Sequence, residues 1–543
     1  MFTPFSNALR ISSVLMTVLI ISGLTAFAAP ASVGGVVKSA SAAAKRITVM
    51  VGKGDSAKEQ VFAVSEETKI TLDGKGVPLD DLAEGTKVTI SYDRSSKLAA
   101  VIRGTATKGE APEKAAAPKP KPSPKRATGG KPPVGNAAGT GTASGDWPQF
   151  RGPNRDGISH ETGLLKKWPQ VGPPLAWRAS GTGQGFSSVS VAAGRIYTMG
   201  NVGNDECVIA LDVNGGKPEW TARIGRVRAN GSGYAGPRCI PTVDGDLLYA
   251  LGLNGDLVCL ETAGGKERWR VDFQKDFGGR MMSGWGYSES PLVDGDRVIC
   301  TPGGDRAALA ALDKQTGKIV WTAPGSNTGG AAYSSIVIAE VGGIKQYVQL
   351  LGRGVYGVAA EDGKILWNYG RIANGTANIP TPLVHDDFVF CTTGYNDGGS
   401  ALLKLAPNRG AIRAEEKYYL SNREFQNHHG GLVMIGDYIY GGHGHNNGLP
   451  TCLDWKRGKI MWGKQRGPGN ESAAVCYADG HMYFRYQDGV MALIEATPER
   501  YNLKSTFRIP GSGTPSWPHP VIAGGRLYLR DQNDLLCYDV REK

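Results

Sequence analysis

The chain has 543 residues, 41% of them hydrophobic, with 77 glycines and a formal net charge of +11. That length is too great for one compact core, so the chain must be split into domains or repeats. The charge is uneven, with 19 Lys+Arg against 11 Asp+Glu in residues 1–143 and 42 against 39 in 144–543. A nearly neutral second part argues against nucleic acid as its partner.

The N-terminus reads as a signal peptide over residues 1–28. Arg10 supplies the positive start, Ile11–Ala26 is mostly apolar, and Ala26-Phe27-Ala28 is a small-x-small cleavage site. The apolar run falls short of the about 20 residues a spanning helix needs, and no later segment reaches that length. No cysteine precedes Cys207, so none is available near the N-terminus to carry a lipid. The expectation is export to the periplasm or cell envelope as a monomer, with no transmembrane segment after cleavage.

Residues 29–45 are rich in small residues and read as linker. Residues 46–107 read as a small β-barrel-like domain, with alternating segments at Ile47–Val51, Gln60–Val64, Lys69–Leu72 and Val88–Tyr92 and turns at Asp73-Gly74 and Asp93-Arg94. No catalytic constellation occurs there. Residues 108–145 are dominated by Pro, Lys and Ala, as in Ala117-Pro118-Lys119-Pro120-Lys121-Pro122, and read as an extended linker.

From Asp146 a phrase recurs: Gly-Lys, two residues, then Trp. It occurs at Gly216…Trp220, Gly265…Trp269, Gly317…Trp321, Gly363…Trp367 and Gly458…Trp462. The Trp-to-Trp steps are 49, 52 and 46 residues, then 95, a double step in which Ala414 holds the Trp place of a degenerate copy. Such a period, in units of short alternating strands, marks a radial or stacked repeat.

Each unit divides into four strands, A to D. First strands fall near Val189, Pro241, Ser288, Ser335, Pro382, Leu432, Ala474 and Pro520, which makes eight units. The eighth ends after its third strand, and Leu175-Ala176-Trp177 upstream supplies the fourth. The predicted fold class is therefore all-β: an eight-bladed β-propeller over 146–543, closed by an N-terminal strand that removes the exposed edges. Trp177, Trp220, Trp269, Trp321, Trp367 and Trp462 are read as structural docking residues between blades. Cys259, Cys452 and Cys537 share the small-residue slot of Ala210 and Ala311, and Cys300 and Cys391 share another, so they read as buried small hydrophobes.

The unit Ala311-Leu312-Asp313…Gly317-Lys318-Ile319-Val320-Trp321 resembles the docking motif of the pyrroloquinoline quinone (PQQ)-type propeller repeat superfamily, which includes quinoprotein alcohol dehydrogenases and the BamB-like outer-membrane assembly factors. The lead-in Asp146-Trp147-Pro148-Gln149-Phe150-Arg151-Gly152-Pro153-Asn154-Arg155-Asp156-Gly157 resembles the opening of secreted planctomycete-type PQQ-like repeat proteins. The resemblance covers essentially all of 146–543. It implies the fold, and leaves catalysis open because the superfamily holds both oxidoreductases and scaffolds. The dehydrogenases carry a vicinal disulfide and a Glu/Asn/Asp set around PQQ and Ca²⁺. This sequence has no Cys-Cys pair and no matching set, so no cofactor is firmly implied.

In a propeller the starts of A strands and the ends of B strands share one face around the channel. The candidate ligand-binding face is His428, His429, His443, His445, Glu471, Arg485, His519 and Arg530, with Trp285, Tyr287, Glu289, Tyr333, Asn378 and Arg238 across the ring. Histidines at 428, 429, 443 and 445 suit Zn²⁺, Cu²⁺ or proton transfer, and Arg485 and Arg530 suit a carboxylate or phosphate. All of them also suit plain hydrogen bonding to the backbone of a glycine-rich rim, with Glu471 and Arg485 as an ion pair. No catalytic residue is assigned.

The reading is an exported, non-catalytic, BamB-like binding or scaffold protein, partnered by an envelope protein, a polymer or a small ligand. The alternative is a PQQ-dependent alcohol or sugar dehydrogenase using Ca²⁺. A hydrolase or lyase using the histidines is the third.

Overall fold

The computed structural model describes residues 31–41, 46–52, 57–72, 75–79, 82–92, 98–105 and 145–543, apart from 229–233, 396, 409–410 and 512–514. The signal peptide read at 1–28 and nearly all of the 108–145 linker lie outside these residues. Two compact units divide the chain, one within Met1–Gly129 and one within Gly130–Lys543.

In the first unit five strands close on themselves. Ala31–Ser41 pairs with Arg46–Val51 and with Lys87–Tyr92, Lys58–Leu72 pairs with Arg46–Val51, and Leu98–Thr105 completes the ring. Its contact with Lys58–Leu72 is parallel. Val37, Ile47, Val49, Phe62, Ile90 and Ile102 fill the interior.

The linker expected at 29–45 is corrected here, because Ala31–Ser41 is a strand paired on both sides. Its small residues are a packing requirement: a Cβ on Gly35 would sit 2.6 Å from the Met50 carbonyl oxygen. Ladder hydrogen bonds on two edges outweigh the weak strand preference of Gly, Ala and Ser.

The second unit holds eight sheets among its described residues, each with four antiparallel strands, and Ile158–Ser159 adds a fifth, parallel strand to the seventh. Their first strands are Ser190–Ala192, Thr242–Asp244, Leu292–Asp294, Val337–Val341, Leu383–His385, Leu432–Ile435, Ala473–Ala478 and Val521–Ala523. Leu175–Ser180 pairs with Asp534–Asp539 and completes the eighth sheet, as expected from the missing fourth strand. Closure gives the eighth sheet the same four-stranded complement as the others, leaving only short edges.

The tryptophans dock between sheets. The indole N–H of Trp220, Trp269, Trp321 and Trp462 donates to the carbonyl of Thr262, Lys314, Ala360 and Thr497, at 3.0, 3.0, 3.1 and 2.7 Å. A Cβ on Gly216, Gly265, Gly317 or Gly363 would overlap the ring of Trp177, Trp220, Trp269 or Trp321 of the preceding unit. The glycine thus serves both the left-handed turn, at φ of 68–78°, and the docking of the neighbour's indole. Trp367 differs, donating to Gln346 Oε1 of its own sheet at 2.5 Å.

The degenerate unit is also corrected. Tyr418, not Ala414, takes the docking place: it precedes the same bulge, lies against Gly458 and donates to the Trp455 carbonyl. The hairpin Gly399–Asn408 with Ala411–Ser421 is longer than its counterparts, which displaced the spacing. All eight cysteines are free and buried. Cys259, Cys452 and Cys537 each face a docking Trp across the ladder.

Candidate functional site

The loops before the first strands and after the second strands converge on a cavity of about 360 Å³. Each loop brings one or two side chains. Phe186 comes from the first sheet, Tyr234 and Arg238 from the second, Trp285 from the third and Tyr333 from the fourth. Tyr395 follows the second strand of the fifth sheet, His428, His429 and His445 belong to the sixth, and Trp517 and His519 precede the eighth.

The floor comes from the lead-in segment. Trp147 exchanges backbone hydrogen bonds with Val191, and the Pro148 carbonyl accepts from Val243 N. The Arg155 guanidinium donates to the Ser290 and Pro291 carbonyls, that of Arg151 to the Leu432 carbonyl, and the Gly157 carbonyl accepts from Tyr477 N. These partners lie on the first, second, third, sixth and seventh sheets, so the segment must cross the channel axis. Phe150 and Arg151 from this crossing line the cavity.

Rings cover much of the wall. Phe186 and Trp517 stack at 4.6 Å and 29°, with Tyr234 edge-on to Trp517 at 4.6 Å and His429 at 5.0 Å. His428 stacks on His429 at 3.8 Å, and Tyr395 touches His428 and His445 at 4.7 and 4.8 Å. The Arg238 guanidinium lies 5.7 Å from the Phe186 ring centre and donates to the Trp285 and Tyr234 carbonyls. Burial lowers its pKa to about 10, and that of Arg151 likewise to about 10.

Burial also favours neutral histidines. It takes His429 down to about 3, helped by the charges of His445, His519 and Arg238, and His519 to about 3, helped by Arg151 and Arg485, and holds His428 and His445 below the usual range. The Nδ1 of His428 pairs with Ser472 Oγ at 2.6 Å. Its Nε2, the Nδ1 of His445 and His519, and the Nε and Nη1 of Arg151 have no hydrogen-bond partner. Tyr234, Tyr395 and Asn446 hold the rim in the left-handed region, at φ of 41°, 64° and 52°. Strain of about 1–3 kcal/mol per such residue persists where surrounding structure enforces it, typically at functional sites.

Seven of the fourteen candidates therefore line the cavity: His428, His429, His445, His519, Trp285, Tyr333 and Arg238. The other seven serve the framework. Arg530 is fully buried and donates to the carbonyls of Thr182, Gly183, Met199 and Gln532 and to Thr198 Oγ1. Arg485, also fully buried, donates to the Pro518 and Arg530 carbonyls and to Ser516 Oγ. Neither lines the cavity: Arg530's donors go to loop oxygens and the terminal nitrogens of Arg485 to the Pro518 and Arg530 carbonyls, Ser516 and Asp531, with Arg485 Nε left unpartnered. Arg485 pairs with Asp531 at 3.5 Å rather than with Glu471, whose carboxylate accepts from Gln487.

Tyr287 donates to the Pro302 carbonyl at 2.9 Å, and Asn378 to the Leu351 and Gly352 carbonyls at 3.0 and 3.1 Å. Glu289 accepts from Thr301 N at 2.6 Å and from Gln349 Nε2 at 3.1 Å, with burial raising it to about 7. His443 stacks on Phe425 and accepts from Gln426 N at 3.2 Å, away from the cavity. The expected four-histidine metal set is thus not assembled. Among the described residues no three His, Cys, Asp or Glu side chains are placed to hold a metal, and no Asp or Glu lines the cavity.

Phe150, Arg151, Phe186, Tyr234, Tyr395 and Trp517 were missed. The lead-in carried no signal that it recrosses the channel. Pro-Ser-Trp-Pro-His before the last first strand did carry one, because it stands where His428-His429 stands in the sixth unit.

A match to the family described as outer membrane protein assembly factor BamB covers residues 204–464. The BamB of Kangiella koreensis is 28% identical over 159 residues, 28% of this chain and 34% of that protein, so the chain spans about a third of that relative's length. A europium-containing methanol dehydrogenase shares the fold at a TM-score of 0.51 and 14% identity, over 71% of this chain and 89% of that one. BamB from Moraxella catarrhalis superposes at a TM-score of 0.43 and 13% identity, over 64% and 94% of the two chains. Over residues 204–464 the chain is therefore similar to the BamB-described propeller-repeat family, and its fold is that of the methanol dehydrogenase propeller.

Proposed function

We propose that the protein is a non-catalytic, BamB-like binding propeller of the cell envelope, using the channel cavity as its ligand site. The observation that carries this reading is the cavity lining, in which rings, imidazoles and guanidinium stand beside a few hydroxyls and the amides of Asn446 and Gln487, with no carboxylate among the described residues. Calcium takes hard oxygen ligands, chiefly carboxylates, and a quinone centre built on Ca²⁺ needs them next to the cofactor. The two buried glutamates near the wall are engaged elsewhere, Glu289 with Thr301 and Gln349, and Glu206 with Leu253 N. The residues do not fit PQQ with Ca²⁺, and no redox step is derived.

Export is supported by the Arg10–Ala28 pattern, and no helix among the described residues is long and apolar enough to cross a membrane. The superfamily holds catalytic and non-catalytic members, so the test is turnover. The full chain is mixed with PQQ and Ca²⁺ and assayed on alcohols and sugars with an artificial electron acceptor. No acceptor reduction above the protein-free rate is expected. Saturable, protein-dependent reduction would overturn the proposal.

A further inference from the structure

The segment that floors the cavity has a shape of its own. It enters the channel at Gly145, where a Cβ would lie 3.3 Å from Gly524, in the turn between the first and second strands of the eighth sheet. It leaves at Glu161, whose carboxylate accepts from Gly524 N and Gly525 N at 2.5 and 2.6 Å. First strands start at the cavity, so that turn lies at the opposite end of the channel. Both ends of residues 145–161 therefore meet at one turn, and of this segment only Phe150 and Arg151 line the cavity. A loop with joined ends and its own packing is an Ω-loop, a form that is frequently functional.

The loop folds on itself. Gln149 Nε2 donates to the Pro153 carbonyl and Arg155 Nη1 to Gln149 Oε1, both at 2.9 Å. Gly152 N, Arg155 N and Gly157 N donate to the carbonyls of Gln149, Gly152 and Arg151. Its hold on the walls is less complete. Arg151 and Arg155 are 2% and 3% exposed, yet Nε and Nη1 of the first and Nε of the second have no partner. Both residues sit in the left-handed region, at φ of 60° and 57°. Buried donors without acceptors and strained backbone both cost the inserted state stability, while the internal bonds survive withdrawal. The geometry points to residues 145–161 as a plug that moves as one unit. Inserted, it closes the channel into a cup; withdrawn toward Gly524, it removes the floor and gives the cup a second exit, with Glu161 as its latch.

The test is residue-level hydrogen exchange of the full chain. The amides of Trp147, Val191, Val243 and Tyr477 donate across the boundary between plug and wall. They should exchange at one common rate, at least tenfold faster than those of Leu248, Ile299 and Val389, which lie in second strands. Glu161→Ala, which removes the latch, should speed the four together by a further tenfold and leave the other three unchanged. Glu161→Gln, which leaves one acceptor for two N–H groups, should give a smaller effect of the same selectivity if Glu161→Ala does not fold. Boundary amides that exchange at the rate of the sheets in parent and variant, or a variant that speeds both alike, would overturn the plug and make the loop a fixed part of the core. A fast boundary left unchanged by the variant would overturn the latch. The exchange needs neither ligand nor electron acceptor, so its outcome and that of the turnover assay are independent.

Discussion

Arg530, at the end of the second strand of the eighth sheet, and His429, in the loop before the first strand of the sixth, have opposite fates. Arg530 donates to five oxygens and is inaccessible. His429 contacts two rings, is half-buried and lines an open space. A long cationic side chain reaches across to the next sheet and meets carbonyls that have no ladder partner. A short imidazole in a glycine-rich loop cannot. The channel end therefore separates into a framework of arginines and an arc of rings and imidazoles left for a ligand.

The largest effect should come from breaking the framework. Arg530→Ala removes the donor shared by the closing sheet and the first, leaving buried carbonyls unmatched, and should cost about 3–5 kcal/mol of unfolding free energy. Urea unfolding of the full chain measures this, and a loss below 1 kcal/mol would show that the arginine is dispensable. Trp321→Ala empties the space between two sheets and should cost about 3–4 kcal/mol. Ala414→Trp should give no docking gain, since Tyr418 holds that place.

A smaller effect concerns pH. Burial raises Glu206 and Glu289 to about 7 from 4.5. The folded state then holds more protons between those values, so their contribution is complete below pH 4.5 and is lost as pH rises through 7. The depressed histidines act oppositely: their contribution is present above pH 6.5 and is lost as pH falls. The comparison with the parent isolates one group. Glu289→Gln should gain stability relative to the parent as pH rises from 5 to 8, by about 1–3 kcal/mol. A pH-independent difference would mean that Glu289 titrates normally. The smallest effect is expected at the cavity, where His429→Phe should change stability by less than about 1 kcal/mol.

The ring was legible because its determinants repeat. Gly317 and Trp321 recur at a nearly constant period, and Leu175–Trp177 had to complete the last sheet. Ala31–Ser41 was not legible, since its small residues reflect close backbone approach, which composition alone reads as linker. Half of the site was legible from strand grammar, which puts His428 and Trp285 at the channel end. The grammar gives a loop's position and not the direction of its side chains, so Arg485, Arg530 and Glu289 were assigned to the face although backbone groups engage them. Phe150 and Arg151 required knowing that residues 147–157 cross the axis, a contact between distant parts of the chain.

Equilibrium dialysis of radioactive Ca²⁺ against the full chain, with and without saturating PQQ, tests the central claim most directly. A channel lined by rings, imidazoles and guanidinium should retain no stoichiometric calcium under either condition. One Ca²⁺ per chain, appearing only with the quinone, would contradict the account and place a cofactor centre where a ligand cavity is described.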